Sequence, residues 1–204
     1  MTTKAAGVHH SLADVPSEVQ LTFDLEGLKE LDRQNPLSHN PRRENVAEHS
    51  WHVAAAAVLL ADHSPEPIDI AHAVLLAVVH DVVELFVGDT FAFGDGVRDQ
   101  ATREQSAMAR LRDTSSAPAI KRLVEIWEEY EAQESTEARF VKGLDTFLPI
   151  VQNHTNIKNS SWVRHRVAAS KVLKRLAKVE DNIGELAHIG RSMILDARDN
   201  GYLT

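Results

Sequence analysis

Three polar side chains stand near the end of the most apolar segment of this 204-residue sequence. His80, Asp81 and Glu84 fall within the segment 68–87, whose other residues are mostly Ala, Val and Leu. A helix that is apolar on nearly every face belongs inside a protein, where an unpaired carboxylate is very costly. These three groups must therefore be paired, coordinate a metal ion or face a cavity.

Two other predicted helices carry groups that would complete a metal site. His49 lies in one of them, and Asp145 lies in the other between apolar neighbours. With His80 and Asp81 they make a set of two imidazoles and two carboxylates, which suits a borderline-to-hard divalent ion. Four protein ligands on a six-coordinate ion leave two positions for water or substrate oxygens. That open coordination is typical of hydrolytic metal sites.

The same residues also allow interpretations without a metal. An isolated His in an apolar helix is often a buried residue whose N–H is satisfied, Asp81 would serve as a cap for a neighbouring helix, and Asp145 would serve in a buried ion pair. Cys is absent, which excludes thiolate metal sites and Cys nucleophiles. The sequence also lacks a Walker loop, a G-x-S-x-G elbow, a G-x-G-x-x-G loop and the H-E-x-x-H motif of zinc peptidases.

The composition limits the partners. The chain carries 22 Lys and Arg residues against 30 Asp and Glu residues, a net charge of −8 with His neutral. Such a chain is a poor candidate for gripping nucleic acid or an anionic membrane over a broad surface, although a local basic pocket can hold a small anion. We find no uninterrupted apolar run of about 18 residues and no apolar leader, so we expect no membrane span and a cytoplasmic protein.

The organisation predicted from the pattern is one all-α domain. Gly (9) and Pro (7) are sparse, and long stretches show a period near 3.6. We expect a flexible lead over 1–16, one helical domain over 17–204 and an irregular connector over 34–43, which contains Pro36 and Pro41. The predicted helices are 17–32, 45–62, 68–87 at the centre, 99–113, 117–134, 136–155, 164–180 and 182–200. Asn45 and Glu48 are spaced as a capping box at the start of the second of these.

The order of these residues suggests a family. The pattern His49…His80-Asp81…Asp145 resembles the HD-domain metal-dependent phosphohydrolases. The surrounding sequence resembles that of the branch that includes the 5′-deoxynucleotidases, and the resemblance covers about residues 25–203. The segments that carry it are RRENVAEHSWHVA (42–54), HDVVELFVGDTFAF (80–93), WEEYEAQESTEARFVKGLD (127–145) and LDTFLPIVQN (144–153).

The resemblance implies a helical fold built around one divalent metal. The implied ligands are His49, His80, Asp81 and Asp145. It also implies that Glu84 and Asp89 act on the leaving group or its water, and that Arg33 binds the phosphate. The Trp that follows this Arg in the nucleotidase branch is replaced here by Gln34, so selectivity for deoxyribose is not implied.

The expected activity is hydrolysis of a phosphomonoester on a small nucleotide, a nucleoside or deoxynucleoside 5′-monophosphate. Alternatives are another HD-type nucleotide hydrolase (a triphosphohydrolase or a cyclic-nucleotide phosphodiesterase) and a non-catalytic metal-binding regulatory module. The ligand set is compatible with Mn²⁺, Co²⁺, Fe²⁺, Mg²⁺ or Zn²⁺. Arg43 and Lys142 are alternative phosphate-binding residues, and the resemblance favours a homodimer.

Overall fold

The computed structural model describes residues 15–94 and 96–204, and the fold there is predominantly helical, which confirms the predicted class. The expected lead over 1–16 falls mostly in residues 1–14, outside the described part of the chain. Short 3₁₀ turns cover Leu25–Lys29, Ala61–His63, Ile157–Asn159 and Glu180–Asn182. The helices are α1 (Ser17–Asp24), α2 (Val46–Leu59), α3 (Ile70–Val79), α4 (Glu84–Val87), α5 (Val97–Thr114), α6 (Pro118–Ala132), α7 (Thr136–Thr155), α8 (Ser161–Arg164), α9 (Ala169–Ala177) and α10 (Glu185–Asp199).

Helix α7 is the element around which the others pack. It contacts α2, α3, α6, α9 and α10, and most of its side chains are buried. The Ser135 hydroxyl caps its first turn by accepting a hydrogen bond from the Ala138 N–H. Asp145 therefore lies halfway along the most enclosed helix of the molecule, where a carboxylate needs partners.

The connector predicted over 34–43 is a β-hairpin, which corrects that expectation. Strands β1 (Asp32–Leu37) and β2 (Asn40–Asn45) pair antiparallel with irregular register. The Asn156 side-chain amide ties the hairpin to the end of α7 by donating to the Leu37 and Asn40 carbonyls at 2.8 and 3.0 Å. The sequence did not predict these strands, because they contain two prolines and no β-branched residue, whereas strands are usually rich in β-branched residues.

The start of α2 forms as predicted. The Asn45 side chain accepts from the Glu48 N–H at 2.9 Å, and the Glu48 carboxylate accepts from the Asn45 N–H at 3.0 Å, so the capping box is confirmed. The box fixes the point where β2 becomes helix. It thereby sets the direction of His49, which stands one residue beyond Glu48 and is fully buried.

The segment predicted as one helix over 68–87 is broken. Helix α3 ends at Val79, a tight turn follows, and α4 begins at Glu84. In length and composition Ile70–Val87 is apolar enough to cross a membrane, a test that core helices also pass. Its buried face lies in the core, while Leu75 and Val78 on α3 are about half exposed.

Gly143 allows close packing beside the middle of α7. A Cβ added at this position would overlap Ile183 Cγ2, so a side chain there requires the chain at 182–183 to move. We expect Gly143→Ala to lower the free energy of unfolding by about 1–3 kcal/mol, because overpacking outweighs the gain in helix propensity. Urea titration followed by circular dichroism measures this.

The matched control is Gly190→Ala in α10, where the nearest atoms would lie at 3.4 Å. We expect a smaller loss of stability in this control. Equal stability of the Gly143→Ala variant and the unmodified protein would contradict the packing argument.

Candidate metal centre and active site

The residues predicted from the sequence meet at one place. A cavity of about 320 Å³ opens between the hairpin, the α3–α4 turn, the loop after α4 and α7. Six of the seven predicted residues line it, and His49 lies just behind, in contact with the Asp145 carboxylate. The six are Arg33, His80, Asp81, Glu84, Asp89 and Asp145.

Two imidazoles and two carboxylates converge on a small volume. His49 Nε2 lies 3.0 Å from Asp145 Oδ1, and His80 Nε2 lies 3.2 Å from Asp81 Oδ2. The crossed separations are 3.8 Å from His49 Nε2 to Asp81 Oδ2 and 3.9 Å from His80 Nε2 to Asp145 Oδ1. Ligand atoms that share one ion at about 2.0–2.2 Å lie at about 3–4 Å from one another. His49, His80 and Asp81, whose ligand atoms all lie within 4.8 Å of one another, fit such an ion, and Asp145 adjoins this group through its contacts with the two histidines.

The tautomer of His80 supplies an independent test of the fit. Its Nδ1 donates to the Ala77 carbonyl at 2.8 Å, because a carbonyl oxygen can only accept. The neutral ring then presents a lone pair at Nε2, which has no hydrogen-bond partner within the described residues. That nitrogen lies 3.2 Å from Asp81 Oδ2 without hydrogen-bond geometry, and a cation bound by two such acceptors removes their repulsion. The donor set therefore fits a divalent metal ion.

Glu44 lies behind His49 and was missed at the sequence level. It is fully buried on β2, its Oε1 accepts from Gln152 at 2.6 Å, and its Oε2 lies 3.3 Å from His49 Nδ1. Burial raises the pKa of this carboxyl, but the facing rings of His49 and His52 and the charge of Arg33 bring the pKa down to about 2. A carboxylate behind a histidine orients the ring toward a metal.

Asp145 is held from several sides. Its Oδ2 accepts from the Tyr130 hydroxyl at 3.2 Å and lies 3.7 Å from Lys142 Nζ. Burial raises the pKa of Asp145, yet the hydrogen bond with His49 and the charge of Lys142 hold it well below its usual range. Tyr130 lies on the buried, apolar side of α6. A Tyr at such a position was the sequence signal for it, because a buried hydroxyl usually finds a hydrogen-bond partner.

Arg33 lies among the carboxylates rather than apart from them. Its guanidinium is 2.7 Å from Asp81 Oδ2, and burial lowers its pKa less than the surrounding charges of Asp81 and Glu84 raise it. The guanidinium therefore balances negative charge that would otherwise repel itself. Four further carboxylates lie at 3.8–4.0 Å from it, namely Glu44, Glu84, Asp89 and Asp145.

Glu84 and Asp89 face the cavity with raised pKa values. Burial, followed by the charge of Asp81, raises the pKa of Glu84 from 4.5 to about 10. Burial also raises the pKa of Asp89, against the charge of Arg33. Gly88 between them has φ +76°, which turns the chain so that Asp89 reaches the cavity. A carboxyl group that stays protonated at neutral pH is suited to donate a proton.

The remaining candidates take different positions. Lys142 lines the cavity, whereas Arg43 does not belong to its lining. His52 is about one third exposed and lies 3.9 Å from Glu44 Oε1, behind the cluster. The roles of all these residues stay predictions, which the geometry supports.

Comparisons with known proteins place this arrangement in context. The family model described as HD domain matches residues 25–187. A solved structure described as a predicted metal-dependent phosphohydrolase from Magnetospirillum magnetotacticum MS-1 is 34% identical, with a TM-score of 0.83 over 92% of this chain and 94% of that one. A conserved hypothetical protein from Pyrococcus furiosus is 24% identical, with a TM-score of 0.62 over 89% of this chain and 99% of that one, and shares the fold.

Curated relatives are also similar. The human protein named 5′-deoxynucleotidase HDDC2 is 36% identical over 128 residues, 61% of this chain and 61% of that protein. The bovine protein of the same name is 38% identical over 128 residues, 61% of this chain and 60% of that protein. The chain thus spans about three fifths of the length of the curated relatives that it matches.

The carboxylate behind His49 gives a prediction for metal affinity. We expect Glu44→Gln to weaken binding of a divalent ion about 10–100-fold, because the ring loses the partner that orients it. Isothermal titration calorimetry with Mn²⁺ measures the change, and His72→Gln, which removes a surface pair with Glu129, is the control. Unchanged affinity in the Glu44→Gln variant would show that Glu44 does not support the site.

The pKa of Glu84 gives a prediction for stability in the presence of a chelator. The folded protein keeps a proton on Glu84 that the unfolded chain releases above about pH 4.5, so this group's contribution to stability falls as pH rises from about 5 to 9. The slope is on the order of 1 kcal/mol per pH unit. We expect Glu84→Gln to show a flatter dependence in urea titrations across this range, and parallel curves would contradict it.

Proposed function

This chain belongs to the HD-domain family, and on that premise we propose that it is a metal-dependent phosphohydrolase that releases phosphate from nucleoside or deoxynucleoside 5′-monophosphates. The observation that carries the proposal is the position of His80 Nε2, which has no hydrogen-bond partner among the described residues and lies 3.2 Å from an Asp81 oxygen beside a cavity of about 320 Å³. The names of the curated relatives support the substrate class.

Four side chains would hold the ion, His49, His80, Asp81 and Asp145. The donor set accepts Mn²⁺, Co²⁺, Fe²⁺, Mg²⁺ or Zn²⁺. When bound, such an ion polarises a phosphoryl oxygen and lowers the pKa of water. Glu44 and Tyr130 position two of these ligands, since the first lies behind His49 and the second donates to Asp145.

Arg33 is the group that would receive the phosphate. Its guanidinium lines the cavity and offers a planar fork of donors that keeps its charge at any working pH. Within the carboxylate cluster it is mainly a counter-charge, because Asp81 lies 2.7 Å from it. Part of that charge becomes available to a phosphate once a divalent ion shares the neutralisation of Asp81 and Asp145.

Glu84 and Asp89 would handle the proton. As the bond between phosphorus and the nucleoside 5′ oxygen breaks, that oxygen takes the proton of the Glu84 carboxyl, whose raised pKa keeps it protonated at neutral pH. The carboxyl groups of Asp89 and Glu84 both lie within 4 Å of Arg33 Nη1, so they are close to one another. In this proposal Asp89 orients the leaving oxygen or its water. Water adds to phosphorus, a proton from that water is returned to the Glu84 carboxylate, and the products are a nucleoside and inorganic phosphate.

A panel of nucleotides tests the function. We expect phosphate release from 5′-monophosphates with at least one of the five metals, and a loss in kcat of about 10²–10⁴-fold in Glu84→Gln. The metal content of that variant should equal that of the unmodified protein by atomic absorption, because the substitution spares the ligands.

The panel also separates the alternatives. Release of pyrophosphate or triphosphate indicates a triphosphohydrolase, and turnover of cyclic nucleotides indicates a phosphodiesterase. Binding of metal without turnover of any nucleotide would leave a regulatory module as the function. Undiminished turnover in Glu84→Gln would remove Glu84 from the mechanism.

We also propose that the chain forms a homodimer through the outer face of α2 and α3. These two helices pack together and hold a single formally charged residue, Glu48. Exposed apolar patches on monomers seldom exceed a few hundred Å², and stable interfaces bury about 800 Å² per partner. The large apolar side chains exposed on α2, α3, α4 are Trp51, Val58, Leu59, Ile70, Leu75, Val78 and Phe86.

Substitution of the most exposed aromatic residue tests this interface. We expect Trp51→Asp, at a side chain that is 71% exposed, to shift the protein from dimer to monomer in size-exclusion chromatography with light scattering. The control is Phe23→Asp on α1, which is 52% exposed outside this face and should leave the dimer intact. A monomeric unmodified protein would overturn the proposal.

A further inference from the structure

One stretch of this acidic chain contains basic residues but no acidic ones. Residues 146–179 contain no Asp or Glu, and they carry seven of the 22 Lys and Arg residues. The rest of the chain holds fifteen basic against thirty acidic residues, so positive charge is concentrated in this stretch. The seven are Lys158, Arg164, Arg166, Lys171, Lys174, Arg175 and Lys178.

These cations have no acidic partners in the described part of the chain. None of the seven lies within 4 Å of a carboxylate there, although several other Arg side chains form ion pairs. Val172 and Leu176 bury the inner side of α9, whereas Lys171 and Lys174 on α9 and Lys178, which caps its end, are exposed. The spacing of the three lysines puts them on one stripe of the helix.

The stripe reaches the active-site cavity at Arg175. This residue is half-buried and lines the cavity together with Trp162 and Val172. Arg164, just beyond Trp162, donates to the Gln34 carbonyl, and Gln34 also lines the cavity. We call the set formed by Arg175, Lys171, Lys174 and Lys178 the cationic track.

The two arginines of the cavity wall are in opposite situations. Arg33 lies within 4 Å of five carboxylates, whereas Arg175 lies within 4 Å of none in the described residues. The part of the cavity wall formed by α7 runs from Asp145 past Pro149 to Asn153, a rise of about 12 Å along the helix. The planar fork of a guanidinium matches the geometry of a phosphate or carboxylate, so an Arg in a concave wall without a counter-ion is suited to bind one.

We propose that the cationic track binds a second phosphate of the substrate, in addition to the one that is hydrolysed. The preferred substrate class is then nucleoside 3′,5′-bisphosphates and, by extension along α9, short 5′-phosphorylated oligonucleotides. This inference rests on the proposed function. The reaction is the same: water adds to the 5′ phosphorus, the 5′ oxygen leaves with a proton, and the 3′ phosphate is unchanged.

Steady-state kinetics at low ionic strength test the track. Adenosine 3′,5′-bisphosphate is compared with adenosine 5′-monophosphate, with release of inorganic phosphate as the readout. We expect kcat/KM to be about tenfold higher for the bisphosphate, mainly through KM, and the preference to fall as salt is added. Arg175→Gln should lower kcat/KM for the bisphosphate about tenfold more than for the monophosphate.

Two further variants sharpen the comparison. Replacing Lys171, Lys174 and Lys178 together by Gln should weaken use of a 5′-phosphorylated trinucleotide more than use of the bisphosphate. Arg122→Gln, on the exposed side of α6 and outside the cavity lining, is the charge-matched control and should keep the substrate ratio of the unmodified protein.

The outcomes separate this inference from the proposed function. Hydrolysis of the monophosphate with equal kcat/KM for the bisphosphate, or an equal fall for both substrates in Arg175→Gln, overturns the cationic track alone. If no monophosphate is hydrolysed, the proposed function fails. The affinity of the metal-loaded protein for the bisphosphate, measured by calorimetry, then tests the cationic track separately. Tighter binding to the unmodified protein than to Arg175→Gln supports the track, and equal affinity overturns it.

Discussion

The constraint on which the structure depends is the gathering of carboxylates in a poorly solvated interior. Asp81, Glu84, Asp89 and Asp145 surround one cavity, with Glu44 behind it, and like charges at such distances repel strongly when water is excluded. Three features of the structure offset this repulsion. Arg33 lies among the carboxylates, burial and the charge of Asp81 raise the pKa of Glu84 to about 10, and the Nε2 atoms of His49 and His80 lie beside the Asp145 and Asp81 oxygens. Each of these features is also a part of the proposed chemistry, so the same feature explains the stability of the site and its reactivity.

The secondary structure follows from the need to deliver these groups from separate parts of the chain. The hairpin supplies Arg33 and Glu44 from its two strands, the capped start of α2 aims His49, and the break after α3 lets the chain turn between Asp81 and Glu84. Helix α7 then passes through the middle with Asp145. Because helix ends and breaks carry most of the site, the local irregularities are where the chemistry is concentrated.

Much of the site was predictable and much of its support was not. His80, Asp81 and Asp145 were visible because polar residues interrupt apolar helices, and the capping box of α2 followed from local spacing alone. Glu44 was hidden because its strand has no alternating pattern and pairs with β1 in an irregular register, and because its own partner, Gln152, is distant in sequence. The exposed outer side of α3 was equally hidden, since a helix that is apolar all round does not reveal which of its faces meets solvent.

The glycine in the middle of α7 has a consequence for how this protein tolerates sequence change. Gly143 stands two positions before Asp145, and its missing side chain is what allows Ile183 to lie against the helix backbone. A change of residue at 182–183 therefore acts on the backbone of the same helical turn that carries Asp145, without any residue of the cavity being altered. Substitutions at 143 and at 182–183 are therefore coupled, because a side chain at 143 fits only if the residue at 183 becomes smaller or moves.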